Sequence, residues 1–174
     1  MKNEKGFTLI EVITVVIILG VLTTVSTVSV YKYVKKSRKA DYDNMEKTMY
    51  SAARNYILDK GMEFEIGNSG TEGLELTAEE LMKSDYVEEL KDPKNKSRNC
   101  SGFVKVRIPA DENVGSTGDI EALDSYEYLI SIACTNYTRC AHFDDKGSLI
   151  THKTDNPIIN DGEIKGTCKW NSWG

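Results

Sequence analysis

The sequence predicts an α+β chain in which one long N-terminal helix, apolar in its first half, packs on a small antiparallel β-sheet head. Three observations carry this. An apolar run from Phe7 to Val30 leads into thirty residues, 31–60, that hold neither proline nor glycine. Two later segments alternate apolar and polar residues with a period of two. All four cysteines fall in the distal part of the chain.

The apolar run holds a single charge, Glu11. As a helix its 24 residues would measure roughly 36 Å, enough to cross a bilayer with some tilt. A cleaved secretory signal would need a small-residue A-x-A-like site after the apolar core. Thr23-Thr24-Val25-Ser26-Thr27-Val28-Ser29-Val30 supplies none. The run therefore reads as a segment kept in the protein and held in the lipid bilayer.

Residues 31–60 continue the helix. Tyr42, Met45, Met49, Ala52, Ala53 and Tyr56 recur at three- and four-residue steps, an apolar stripe expected to form the seam against the head. Lys39 with Asp43, and Asp43 with Lys47, are opposite charges four apart that support an exposed face. Gly61 is the expected stop, which gives a helix of roughly 80 Å from Phe7 to Lys60.

The remainder, 61–174, reads as a separate head. Residues 62–76 are expected to form a loop, with Gly67, Gly70 and Gly73. Thr77-Ala-Glu-Glu80 has the form of a capping box opening a short helix to about Lys83. Val104, Val106 and Ile108 alternate with Lys105 and Arg107; Tyr126, Tyr128, Ile130 and Ile132 alternate with Glu127 and Ser131. Antiparallel pairing of Ile108 with Tyr126 sets Val106 against Tyr128, Val104 against Ile130 and Gly102 against Ile132. One step further, Cys100 lands opposite Cys134, within bridging reach.

Four cysteines allow three connectivities. Taking Cys100–Cys134 leaves Cys140–Cys168, which would tie the C-terminal tail to the sheet. Reduced thiols and a metal site are the alternatives, but no C-x-x-C spacing occurs, and His142 and His152 stand in no zinc-like pattern. Disulfides imply an exported head. The basic cluster Lys32, Lys35, Lys36, Arg38 and Lys39 pulls the other way, because positive residues favour the cytoplasmic side. The cysteines outweigh it: that rule is statistical, and a dedicated assembly pathway overrides it.

Asp144-Asp145-Lys146-Gly147 is expected to be a hairpin turn rather than a calcium loop, since no further acidic residues continue it. Asn156-Pro157 and Asn160-Asp161-Gly162 are further turn signals. The charge is divided: residues 1–60 hold 10 basic and 6 acidic residues (+4), residues 61–174 hold 12 and 21 (−9). An acidic head without a basic stripe argues against nucleic acid as a direct ligand. There is no nucleophile elbow, phosphate loop or metal motif, and His142 beside Asp144 and Asp145 makes no recognised catalytic set. The sequence gives no sign of an enzyme, and no cofactor is implied.

Lys5-Gly6-Phe7-Thr8-Leu9-Ile10-Glu11, followed by a long apolar run, resembles the prepilin signal of type IV pilins and type II secretion pseudopilins. The resemblance is close over residues 5–30, and the helix-then-disulfide-bonded-sheet plan extends it loosely to the rest. It implies a leader, residues 1–6, removed by a prepilin peptidase between Gly6 and Phe7, with N-methylation of Phe7 by the same enzyme. It then implies a membrane and filament-core helix (7–30), its amphipathic continuation (31–60) and a pilin-like head (61–174). Glu11 would pair with the Phe7 amino group, on its own or a neighbouring subunit, during assembly. The implied partners are other pilin subunits, a membrane platform protein and an assembly ATPase. The implied location is the cytoplasmic membrane with the head outside, then a surface pilus. A pseudopilin of a secretion or DNA-uptake machine is the alternative within the family. A membrane-anchored extracellular binding protein that never polymerises is the alternative outside it. Many family members carry proline at the position of Val28, near which the helix melts in filaments; here a β-branched and Thr/Ser run is expected to weaken the helix instead.

Overall fold

In the computed structural model, residues 6–109, 126–135, 137–155, 158–160, 163–165 and 168–170 are described, without the side chains of 24–28, 137, 154–155, 158–160 and 163–165. Two compact units divide the chain, residues 1–40 and 41–174. One helix, α1 (Leu9–Lys60), contributes to both. Its backbone is continuous through Val28, so the β-branched run there is helical in this structure.

In the first unit the described side chains from Leu9 to Leu22 are exposed. Among the described residues no helix is long and apolar enough to cross a membrane. Side chains of the apolar run are described without a break only over residues 9–23, a stretch of helix that rises about 22 Å.

The second unit is a helix-on-sheet layer. Gly61 ends α1 with φ at +63°, the left-handed conformation that glycine adopts without a Cβ penalty. The segment expected to be loop is partly ordered into α2 (Glu63–Asn68), a 3-10 turn (Gly70–Glu72) and strand β1 (Leu74–Thr77). The loop expectation fails because β1 gains its order from pairing with a strand thirty residues on. The Leu74-Glu75-Leu76-Thr77 alternation is too short to mark a strand without that pairing. Thr77 then caps α3 (Ala78–Lys83) through a complete capping box: Thr77 Oγ1 accepts from the Glu80 amide at 3.2 Å, and the Glu80 carboxylate accepts from the Thr77 amide at 2.8 Å.

A small hairpin, β2 (Lys91–Asp92) and β3 (Asn95–Asn99), lies in the chain between α3 and the second strand of the main sheet. That sheet is antiparallel, in the order β1-β4-β5-β6-β7, with β4 Ser101–Arg107, β5 Glu127–Cys134, β6 Tyr137–Phe143 and β7 Leu149–Asp155. Strands β4 and β5 pair Val106 with Tyr128, Val104 with Ile130 and Gly102 with Ile132, the register expected from the alternation. A last hairpin joins β8 (Ile158–Asn160) to β9 (Glu163–Lys165). The turn signals at 156–157 and 161–162 lie outside the described residues.

One sheet face meets α1. Tyr42, Met49, Tyr50, Ala52, Ala53 and Ile57 of the helix are buried with Val104, Val106, Tyr128, Ile130, Ile132 and Phe143, while Met45 and Tyr56 pack at the margin. Each large apolar side chain buried there is worth about 1.5–3 kcal/mol. Tyr50 meets Tyr128 edge-on with ring centroids 4.8 Å apart. On the opposite face Leu129, Cys140, Cys168 and Trp170 form a second, smaller cluster with Phe103 against it. Cys100 and Cys134 are bonded, with Cα atoms 4.4 Å apart, and Cys140 is bonded to Cys168 at 5.7 Å. The second bond carries the tail to the sheet's outer face. There Trp170 stacks under the Arg107 guanidinium, 4.0 Å from the ring centroid, and donates to the Glu72 carbonyl at 2.8 Å.

Candidate functional site

The N-terminal motif stands at the start of α1. Gly6 and Phe7 precede the first helical residue, and a Cβ built on Gly6 meets nothing within 4 Å. Phe7 is 84% exposed. The Gly6–Phe7 peptide bond therefore lies ahead of the helix, which begins at Leu9.

Thr8 caps the helix. Its backbone N–H donates to Glu11 Oε2 at 2.8 Å and its hydroxyl donates to the same oxygen at 2.7 Å. The Glu11 N–H points back to Thr8 Oγ1 at 3.4 Å, and the Thr8 carbonyl accepts the first helical bond, from Val12, at 3.3 Å. Glu11 thus has a local partner inside the apolar run. It closes a Thr-x-x-Glu box like the one at Thr77, a role the sequence spelled in the same letters, and that makes Thr8 a further residue of the motif. A carboxylate in the first turn also faces the positive end of the helix dipole.

A cluster of charged groups joins the second half of α1 to the sheet. Buried Arg139 of β6 reaches buried Glu46 of α1, Nε to Oε1 at 2.8 Å, and also bonds Asp43. Asp43, expected to pair along the helix with Lys39 and Lys47, is thus drawn to the sheet. His152 Nε2 completes the group, 3.1 Å from Glu46 Oε1 and 3.1 Å from Arg139 Nε. No local pattern marks these residues, because the partners are some 90 residues apart.

His142 faces Glu127 and Trp170 on the sheet's outer face, 3.6 Å from the first and edge-on to the second at 5.5 Å. Burial pushes its pKa below the ordinary histidine range, against the opposing pull of Glu127. Asp144 organises the β6–β7 turn, accepting from the Lys146 amide at 3.0 Å and from the Ser148 amide. Gly147 takes φ +77° there. Among the described residues no group of three His, Cys, Asp or Glu side chains is placed to hold a metal ion.

Residues 1–27 match the family model of the prokaryotic N-terminal methylation motif. The chain carries the prepilin signature of type IV pilins and pseudopilins at its N-terminus, on a long helix followed by a small antiparallel sheet. No curated protein and no solved structure matches it. The match is to the N-terminal motif alone and covers 27 of the 174 residues.

Proposed function

We propose that this chain is a type IV pilin-like filament subunit, cut between Gly6 and Phe7, N-methylated on Phe7 and held in the membrane with its head outside until it is assembled. The observation that carries the reading is the methylation motif at residues 1–27, set on a helix whose apolar side chains from Leu9 to Leu22 are exposed to solvent. Exposed apolar surface on that scale requires either lipid or other helices. The sequence continues the apolar run to Val30, which makes it long enough for a bilayer.

Glu11 fits the assembly step. Removing the leader leaves a cationic amino group on Phe7, one residue from the Thr8 amide that the Glu11 carboxylate already accepts from. An ion buried in hydrocarbon is costly unless paired, so the amino group and the carboxylate of the same or an adjacent subunit draw the helices into axial register. A platform protein and an ATPase extract the subunit from the membrane; this chain supplies the packing surface. The two disulfides support an exported head.

The test is Glu11→Val in the native host, with mass spectrometry of the N-terminus and a sheared-filament assay. We expect cleavage and methylation at Phe7 in both forms, with filaments lost from the variant. Long fibres in the wild-type sheared fraction identify a pilus; short, cell-bound assemblies identify a secretion or DNA-uptake pseudopilus. A wild-type chain left uncut or absent from filaments would leave a membrane-anchored head and refute the reading, whereas a variant that still polymerises would refute the assembly role of Glu11.

A further inference from the structure

The basic cluster after the apolar run has no use in the reading above and runs against the expected orientation. Residues 31–40 hold five basic residues and no acidic one, and every one of them is exposed. Among the described residues none of the five makes an ion pair. Their arrangement is one-sided. Lys32, Lys35, Lys36 and Lys39 follow the i, i+3, i+4, i+7 spacing that gathers side chains into an arc of about 100° on a helix. Only Arg38 falls outside it.

That shape selects the partner. Headgroups beside a spanning helix surround it, and a ring of lysines would serve them. A stripe running about 10 Å along the axis fits a surface lying alongside the helix instead. The chain itself offers a surface of the opposite sign. Residues 61–90 hold nine acidic residues and one basic, a net −8. Glu65, Glu79, Asp85 and Glu88 are exposed there and, among the described residues, make no ion pair, with Glu63 half-buried beside them.

Resting on the filament reading, we propose that the Lys32–Lys39 stripe of one copy docks against the acidic 63–88 surface of a second copy. Two different patches meet in such a contact, so it is heterologous and propagates from subunit to subunit instead of closing into a dimer. Charge complementarity sets partner choice and register, while the apolar helices supply the packing. The cluster is therefore an assembly feature, which accounts for its conflict with the orientation rule.

The test uses the full chain in the native host, read as sheared filament against the membrane pool, with the N-terminus checked at Phe7. One variant reverses Lys32, Lys35, Lys36 and Lys39 to Glu; a second reverses Glu63, Glu65, Glu79 and Glu88 to Lys; a third combines them. Each reversal alone should lower filament yield about tenfold or more with cleavage intact, and the combination should recover most of it. The lysine reversal leaves less positive charge beyond the helix, so a loss of filaments is not an inverted topology. Protease resistance and disulfide formation establish that the acidic-surface variant folds. Normal yield from either single reversal overturns the contact, as does a combination no better than its parts. If the lysine variant alone loses filaments and also loses flotation with phosphatidylglycerol vesicles, the partner is lipid and the proposal fails. Absence of filaments from the wild type would sink the filament reading itself, a different result from wild-type filaments that ignore the charges.

Discussion

Glu46 is 2% exposed, and its carboxylate is the main counter-charge to an arginine contributed by a strand 93 residues later. Burying such a pair gains little net stability, because desolvation offsets the attraction, but removing Glu46 leaves Arg139 only the half-buried Asp43 as a carboxylate partner. Glu46→Ala should therefore cost about 3 kcal/mol, the low end for breaking a buried pair, and Glu46→Met with Arg139→Met should cost much less. Denaturant unfolding of the full chain in detergent measures both. A single substitution as mild as the double one would show that water reaches Arg139. The arrangement also fixes rotation: with Asp43 and His152 on the same guanidinium, only one face of the helix satisfies the sheet.

At the scale of elements, local chemistry was readable wherever the cause lay within a few residues. The capping box at Thr77, the stop at Gly61 and the turn at Asp144–Gly147 each follow from side chains that bond their own neighbourhood. The β4–β5 register was readable because a one-residue slip would turn Val104, Val106 and Ile130 away from the helix. Strand β1 was not readable: Leu74–Thr77 is short, follows three glycines and is ordered by β4. The Arg139–Glu46 contact was invisible for the same reason. At the N-terminus the cleavage motif was legible, whereas Thr8 as the partner of Glu11 was missed although its letters match Thr77–Glu80.

The β6–β7 hairpin offers a test at this scale. A Cβ on Gly147 would stand 2.9 Å from Tyr50 Cε1, on a residue at positive φ. Gly147→Ala should lose about 1–2 kcal/mol, whereas Gly67→Ala, in open space within α2, should be neutral or slightly stabilising. Thermal unfolding of the two variants side by side decides it. Equal melting points would mean that the turn moves off Tyr50 without cost.

Across the whole molecule, residues 41–174 contain both cores and both disulfides. The exposed apolar surface concentrates in residues 1–40. A fragment beginning at Asp41 should fold without the rest, giving dispersed amide NMR signals and a monomeric mass in the absence of detergent. Aggregation of the oxidised fragment would show that the first unit is needed for the fold of the second.

The two disulfides have a mechanical consequence. They bridge sequence separations of 34 and 28 residues, and the two intervals follow one another without overlap. A chain pulled from its ends cannot pay out the 62 residues inside them, which withholds roughly 200 Å of contour length. Even a head torn fully open under load would stay short. Its tether would stiffen early in the pull, where a reduced chain would go on lengthening.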